Sequence, residues 1–373
     1  MSRYRDLGLT VGILPPGPMN AITDIDGVTV GLTTVIEGEG PLAVGSGPVR
    51  TGVTVVVPSP DIGRHPVFAG CHRLNGNGEL TGLEWLRESG TLTTPIAITN
   101  THSVGIVRDA LVYHELARRD DATSYWSLPV VGETYDGALN DINGMHVTAA
   151  HVHAALANAA GGPVPEGNVG GGTGMICHEF KGGTGTASRI VEGWRVAALV
   201  QANHGARERL SVDGVPVGRE LGRDAIPSAW DEAEAIERGG AGSIIVVLAT
   251  DAPLLPHQLE RIAQRAALGI ARAGGGGEHS SGDLIVAFSV ANRGRLRSYK
   301  MDQPPDAVDV TMLPDGALTP LFWGAIESTE EAIVNALVAA ETMTGRDGVT
   351  AHALPHDALV DVMSRYGRAP SPR

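Results

Sequence analysis

Aromatic residues, cysteine and lysine are all scarce in this sequence. Phe, Trp and Tyr together make up 4% of the 373 residues, and Lys181 and Lys300 are the only lysines among 28 basic residues. The formal net charge of −14 argues against nucleic acid and anionic membranes as partners, because both attract clustered basic side chains. Two cysteines, Cys71 and Cys177, are too few for a disulfide framework in so long a chain, and they indicate a reducing compartment.

Long hydrophobic runs are also lacking. The longest apolar runs span about eight residues, whereas a membrane-spanning helix needs about 20. The chain shows no apolar stretch of signal-peptide length before Pro15. We therefore expect a soluble, cytoplasmic protein. Its hydrophobic fraction of 42% is high enough for a buried core, which argues against a disordered chain.

Glycine, by contrast, is abundant, with 50 residues, about twice the usual share of roughly 7%. The glycines follow no triplet period, which excludes collagen. Two glycine-rich runs, at residues 170–174 and 181–186, raise the alternative of a non-catalytic nucleotide- or phosphate-binding protein. These runs have neither the P-loop spacing nor the dinucleotide-binding fingerprint, so tight turns explain them better.

Short apolar runs alternate with alanine-rich helical stretches, which predicts a layered α/β protein. We predict strands at residues 53–57, 95–99, 194–202, 243–250 and 283–289, and helices at residues 107–119, 256–273 and 329–343. The last three strands are nearly continuous apolar runs, as expected of strands covered on both faces. The last helix is predicted to start at a capping-box-like pattern, residues 328–331.

The segment at residues 206–242 differs from the rest of the chain. It is rich in charge, glycine and proline, with an acidic stretch at 231–238 and a glycine run at 239–242, and a strand-like run begins directly at Ser243. A loop that enters a strand explains this pattern if the pattern is taken alone. The alternative is self-cleavage between Gly242 and Ser243. The freed α-amine, with a usual pKa of about 7.7–8.0, could then act as the base for the serine hydroxyl.

Short motifs are spread along almost the whole chain. They lie at residues 5–8, 16–24, 99–105, 132–137, 139–141, 172–177, 180–189, 200–203, 242–243, 280–283, 335–337 and 345–348. Each motif is weak alone, but in this order they resemble the family of L-aminopeptidase/D-esterases and β-peptidyl aminopeptidases, which are self-processing serine hydrolases. The shared order is a strong signal, and it favours cleavage at Gly242–Ser243.

The resemblance implies a fold and an activity. The fold would be an α/β, four-layer αββα sandwich that resembles the N-terminal nucleophile hydrolases but has its own connectivity. Residues 1–373 would form one domain, cleaved into an α chain (1–242) and a β chain (243–373) that assemble as a homo-oligomer of heterodimers. The enzyme would be an aminopeptidase for small peptides, amides or esters, with no metal or organic cofactor. An amidase for ω-amino acid oligomers is the alternative within this fold.

The resemblance also implies roles for five residues. Ser243 would be the nucleophile, Ser281 the second active-site serine and Asp283 its acidic partner. Ser281 and Asp283 are two residues apart at the start of a predicted strand, so both can lie on one face, and we expect a hydrogen-bonded chain from Asp283 through Ser281 to Ser243. Asn203 would donate to the oxyanion, a contact typically worth about 10²–10³ in rate. The Tyr135 hydroxyl would help to hold the substrate or the oxyanion.

An aminopeptidase must also bind the free ammonium group of its substrate, and a carboxylate is the natural counter-ion. Glu133 and Asp136 flank Tyr135 and are our candidates for this role. The residue after Asn203 is His204, where the family leads us to expect an aromatic side chain. We therefore expect the substrate pocket of this protein to differ in shape from that of the family.

The 13 histidines raise the hypothesis of a metal site. His151 and His153 are two residues apart in a predicted helix, where such side chains do not face each other. The adjacent pairs Cys71–His72 and Cys177–His178 do not have the paired spacings of a structural zinc site. We therefore predict no catalytic metal. We also expect Cys177 to be a buried, unreactive cysteine rather than the nucleophile.

Overall fold

A computed structural model of the chain describes residues 2–120, 122–232, 242–297 and 306–370. Most of the acidic stretch and the glycine run that precede Ser243 in the sequence fall at 233–241, outside these described residues. The strands are β1 Thr29–Glu37, β2 Val49–Val57, β3 Val67–Arg73, β4 Thr91–Leu92, β5 Ile96–Asn100, β6 Val130–Thr134, β7 Ile176–Cys177, β8 Phe180–Lys181, β9 Gly183–Val191, β10 Trp194–Asn203, β11 Ser243–Thr250, β12 Asp283–Ser289, β13 Met343–Thr344 and β14 Thr350–Ala351. The helices are α1 Leu83–Ser89, α2 Val104–Leu116, α3 Ala149–Ala157, α4 Val217–Glu220, α5 Ala229–Glu232, α6 Pro256–Arg272, α7 Leu318–Val338 and α8 His356–Arg365.

Two mixed sheets form the centre of the molecule. One has four strands in the order β1-β2-β5-β6, and the other has six in the order β4-β3-β12-β11-β10-β9. Within the larger sheet, β11 pairs antiparallel with β10, so that Ser243 lies opposite Asn203. The same strand pairs parallel with β12, where Ile244 lies opposite Asp283. The end of β10 and the starts of β11 and β12 therefore meet at one edge of the sheet.

The two sheets pack face to face, and helices cover both outer faces. Along β11 the side chains alternate, as the pleat of a strand requires. Ile245 and Val247 join the core between the sheets, whereas Ile244 and Val246 join the core under α6 and α7. A third core lies between the four-stranded sheet and helices α2 and α3. These layers confirm the predicted αββα sandwich.

Most predicted elements agree closely with the structure, but the bounds of the helix predicted at 329–343 are wrong. The observed helix α7 starts 11 residues earlier, at Leu318, and ends at Val338. The pattern at 328–331 lies in the middle of α7, where its acidic side chains are buried and pair with arginines instead of capping a helix end.

In the described part of the chain, no helix is both long enough and apolar enough to cross a membrane.

Arg189 is the centre of a buried ion-pair network that includes acidic side chains of α7. Its side chain is fully buried, and it contacts Glu327 at 3.1 Å and Glu331 at 2.6 Å. Arg5 adds a second contact of 2.7 Å to Glu331. Burial alone would raise the pKa of Glu331, but the charges of Arg189 and Arg5 lower it below its ordinary value. The network therefore ties the N-terminal segment and β9 to α7.

Replacing Arg189 should destabilise the fold strongly. Arg189→Ala leaves two buried carboxylates without their main counter-ion, and breaking such a pair typically costs about 3–5 kcal/mol. The control is Arg195→Ala, which removes a contact of 3.1 Å to Asp251 between side chains that are 40% and 21% exposed. That pair should contribute less than about 1 kcal/mol. Urea unfolding of both variants measures the difference, and equal losses would contradict this account.

Candidate active site

Ser243 lies at the edge where β10, β11 and β12 meet. It is the first residue of β11, and the strand pleat places its side chain on the same face as Ile245, towards the other sheet. Only 5% of the residue is exposed. Its Oγ accepts a hydrogen bond of 3.0 Å from the backbone amide of Gly282. The hydroxyl is therefore held in a defined position between the sheets.

The predicted pair of Ser281 and Asp283 lies next to this serine. The hydroxyl of Ser281 donates a hydrogen bond of 2.5 Å to Asp283 Oδ1, as expected, and both residues are buried. The hydrogen bond expected between Ser281 and Ser243 is replaced by another contact. Ser243 Oγ accepts its hydrogen bond from the Gly282 amide and not from Ser281. Burial raises the pKa of Asp283 to about 6, although the bond from Ser281 acts in the opposite direction.

Asn203 is held in a fixed orientation opposite Ser243. Its Oδ1 accepts a hydrogen bond of 2.7 Å from the amide of Ile176, and its Nδ2 donates one of 2.9 Å to the carbonyl of Tyr135. The Nδ2 group carries a second hydrogen, which this contact leaves available for a reacting oxygen. Tyr135 thus contacts Asn203 through its backbone, and the residue as a whole is 43% exposed.

Glu133 borders the serine site. Its carboxylate accepts a hydrogen bond of 2.9 Å from the amide of Glu79 and a short one from the hydroxyl of Thr101. Gly78 packs between Glu133 and the loop that contacts Ser243. A Cβ placed on Gly78 would lie 3.2 Å from Glu133 Oε1 and 3.0 Å from the Cα of Gly282. Burial raises the pKa of Glu133, so this carboxylate favours a nearby positive charge.

Asp136, the other candidate for ammonium binding, has a different environment. It is fully buried, and its Oδ1 accepts a hydrogen bond of 3.0 Å from the side chain of Asn140. Burial raises its pKa to about 7. Asp136 is thus enclosed in an internal polar cluster, whereas Glu133 borders the site.

Asn75 contacts Asp283 and was missed by the sequence analysis. Its Oδ1 accepts a hydrogen bond of 2.5 Å from the Asp283 amide, and its Nδ2 donates one of 3.2 Å to the carboxylate. The only signal is the run Asn-Gly-Asn-Gly at 75–78, which is typical of a turn. Such a run marks a loop but does not reveal which distant residue the loop contacts.

Gly242 has a steric reason to be glycine. A Cβ at this position would lie 1.8 Å from the carbonyl oxygen of Asn203, closer than atoms can approach. The residue before Ser243 therefore runs tightly against the end of β10.

The glycine-rich runs do not form a phosphate cradle. Residues Gly170–Gly172 form a short, buried 3-10 helix. The ammonium group of Lys181 donates to the backbone carbonyls of Met175 and Gly182, each at 2.9 Å, and burial lowers its pKa to about 7. The Lys181 side chain thus binds carbonyl groups inside the protein. The alternative of a nucleotide-binding protein is not favoured.

The cysteine and histidine positions differ in part from expectation. Cys177 is fully buried, as expected, and burial raises the pKa of its thiol to about 12, which makes it a poor nucleophile. The fold, however, brings His204 to the adjacent pair Cys177–His178. The spacing within the sequence did not reveal this third side chain, which could complete a metal site.

These features define a class of protein. The site combines a serine hydroxyl at the start of a central strand, an adjacent hydroxyl–carboxylate pair and an oriented amide donor. Such groups supply a nucleophile, an acid–base partner and a contact for an oxyanion, as hydrolysis of an amide or ester requires. The αββα sandwich that carries them is the architecture expected of hydrolases with an N-terminal nucleophile.

Comparisons with known proteins identify the family. The sequence model of peptidase family S58 matches residues 20–351, and the chain belongs to this family. It is 50% identical to a protein named beta-peptidyl aminopeptidase BapA from Sphingosinicella microcystinivorans, over 98% of this chain and 93% of the relative.

Solved structures agree with this assignment. A beta-aminopeptidase from Burkholderia sp. superposes with a TM-score of 0.91 at 51% identity, over 99% of this chain and 100% of the other. The L-aminopeptidase D-Ala-esterase/amidase from Ochrobactrum anthropi gives a TM-score of 0.88 at 46% identity, over 99% of each chain. The latter is described as a new variant among the Ntn hydrolase fold, which agrees with the fold class expected from the sequence.

Removing the Asn75 side chain should raise the pKa of Asp283 above about 6, because the bond from Asn75 to the carboxylate lowers that pKa. The measurement is a ¹³C NMR titration of aspartate-labelled Asn75→Ala in a Ser243→Ala background, with the Asp283 signal assigned from Asp283→Asn. The control is Asn77→Ala, whose side chain donates to the carbonyl of Ser280 and should leave the titration unchanged. An unchanged pKa in Asn75→Ala would show that the contact is unimportant.

The same titration has a consequence for stability. The folded chain holds the Asp283 proton more tightly than an unfolded chain, whose aspartate pKa is 3.8, since the folded pKa is about 6. The contribution of Asp283 to the free energy of unfolding is therefore largest below pH 3.8 and is lost as the pH rises through 6.

Proposed function

We propose that this protein is an aminopeptidase that releases N-terminal residues from small peptides, amides or esters, with Ser243 as its nucleophile. The observation that carries this proposal is the position of the Ser243 hydroxyl, which is held by the Gly282 amide at 3.0 Å beside the Ser281–Asp283 pair. Asn203, fixed on the paired strand, supplies an amide donor. Membership of peptidase family S58 supports the hydrolytic activity.

The nucleophile becomes an N-terminal residue by self-cleavage. The Oγ of Ser243 attacks the carbonyl carbon of Gly242, and the C–N bond breaks as the serine nitrogen takes up a proton, which leaves an ester. Water then hydrolyses the ester, so that Gly242 ends in a carboxylate and Ser243 carries a free α-amine. The tight approach of Gly242 to the Asn203 carbonyl supports this step, because it restricts the backbone at the bond to be broken.

The free α-amine then serves as the base in peptide hydrolysis. It accepts the hydroxyl proton as Oγ attacks the substrate carbonyl, and it returns the proton to the leaving amine. The second Nδ2 hydrogen of Asn203 stabilises the oxyanion. Asp283, held by Ser281, stabilises the positive charge on the amine. Water finally releases the acyl group from Ser243.

The substrate class follows from its ammonium group and from the relatives. Glu133 binds the ammonium group of the substrate, because it is a buried carboxylate that borders the serine site through Gly78. Related proteins carry the names beta-peptidyl aminopeptidase and beta-aminopeptidase. We therefore include N-terminal β-amino acids among the residues released. The oligomer of heterodimers remains a prediction from the family resemblance.

Self-cleavage is tested by intact mass spectrometry of the purified protein. Wild-type protein should give two fragments, residues 1–242 and 243–373, whose masses add up to that of the full chain plus one water. Ser243→Ala should give a single, full-length mass. The control is Ser280→Ala, which removes a nearby hydroxyl and should be cleaved like wild type. A single full-length species in catalytically active wild-type protein would refute the mechanism.

Ammonium recognition is tested with two substrates that differ only by an amine, β-alanyl p-nitroanilide and propionyl p-nitroanilide. Wild-type protein should prefer the first. Glu133→Gln should lower kcat/KM for the amine substrate by about 10- to 100-fold, the range expected for a lost hydrogen bond to a charged group, and should barely change the other value.

The matched variant for this test is Asp136→Asn, which neutralises the other candidate carboxylate. It should keep the preference for the amine substrate, since Asp136 is enclosed among internal polar side chains. If Asp136→Asn abolished the preference and Glu133→Gln retained it, ammonium recognition would belong to Asp136.

A further inference from the structure

Cys177, His178 and His204 form a buried cluster behind the serine site. Cys177 ends β7, and His204 follows β10 directly. The exposed fractions of the three residues are 0%, 0% and 2%. One ligand atom from each lies within 4.8 Å of the others. Thiolate and imidazole are the ligands that zinc and monovalent copper prefer.

The hydrogen bonding of His178 leaves a lone pair without a partner. Its Nδ1 lies 3.1 Å from the carbonyl oxygen of Ala206, and a carbonyl can only accept, so Nδ1 carries the hydrogen. Its Nε2 therefore carries the lone pair, and this buried atom has no hydrogen-bond partner among the described residues. A ring held through one nitrogen by a carbonyl, with the other nitrogen bare, is the usual arrangement of a metal-binding histidine.

The distance between Cys177 and His204 fits a shared metal ion. Zn–S and Zn–N bonds of about 2.3 and 2.0–2.1 Å place the two ligand atoms about 3.6–3.8 Å apart at tetrahedral or trigonal angles. Cys177 Sγ lies 3.9 Å from His204 Nδ1. A small approach of the side chains would therefore complete this geometry.

We propose that Cys177, His178 and His204 bind a thiophilic d¹⁰ metal ion, either zinc or monovalent copper. Binding replaces the thiol hydrogen of Cys177 by the metal and releases that proton to solvent. The ion stabilises the surroundings of Asn203, because His204 follows Asn203 and Cys177 follows Ile176, whose amide holds the Asn203 side chain. A backbone bond of 2.7 Å from His178 to the carbonyl of His204 already joins the two segments.

The second Cys–His pair provides an internal control. Cys71 and His72 are successive residues of β3, so their side chains point to opposite faces of the sheet. Cys71 belongs to the core between the sheets. In the ranges that the structure describes, the group that gathers three ligand-type side chains is the one at Cys177.

The first test is the metal content of untagged wild-type protein, purified without chelator and analysed by mass spectrometry of its metals. We expect about one zinc or copper ion per chain, and the element found distinguishes the two ions. Protein unfolded with chelator and refolded with Co²⁺ should show a thiolate-to-cobalt absorption band. Cys71→Ser should keep both signals, and Cys177→Ser should lose both.

The variant His204→Phe tests the third ligand. It should weaken metal binding by more than the roughly 10- to 100-fold that loss of an outer-sphere partner costs. Wild-type protein with only trace metal, and without the cobalt band after refolding, would overturn the proposal. The cluster would then be a thiol that donates to the ring of His204. Both readouts are independent of peptide hydrolysis, so the proposal can fail while the proposed function stands.

Discussion

The pairing of β11 with its two neighbours is the constraint on which the site depends. Because β10 runs antiparallel to β11 and β12 runs parallel to it, the end of one strand and the starts of two others share one edge. Asn203, Ser243 and Asp283 are distant in sequence and become neighbours only through this register. A shift by one residue would turn the Ser243 side chain to the opposite face of the sheet. The apolar residues that follow Ser243 on both faces of β11 therefore also determine the position of the hydroxyl.

Tight backbone contacts complete the arrangement at this edge. The Gly282 amide reaches Ser243 Oγ because the loop before β12 packs directly on the loop at 74–79. A Cβ on Gly282 would lie 2.6 Å from the Cα of Gly78. The loop at 74–79 also carries Asn75, which holds Asp283, and Glu79, which holds Glu133. One loop thus connects the carboxylate near the proposed nucleophile with the carboxylate proposed to bind the substrate.

The five strands predicted from the sequence agree well with the structure, whereas some contacts could not be predicted, for physical reasons. Strands β11 and β12 are buried on both faces, so their continuous apolar runs have clear ends. Helix α7 was misjudged because buried glutamates paired with arginines resemble an exposed helix start. Family motifs located Ser243, Ser281, Asp283 and Asn203 in the sequence. No local pattern could reveal Asn75, which lies 208 residues from Asp283, because only the order of the strands brings the two together.

The buried carboxylates explain how the site can favour positive charge. Burial raises the pKa of Glu133 and brings that of Asp283 to about 6, so ionising either group inside the protein is costly. A cation that arrives next to a buried carboxylate recovers part of this cost. Self-cleavage would create one such cation, the α-amine of Ser243, and the substrate would bring the other as its ammonium group. The burial that disfavours charge in the uncleaved chain would thus favour the ammonium that forms when the α-amine takes up the hydroxyl proton, and the ammonium group of the substrate.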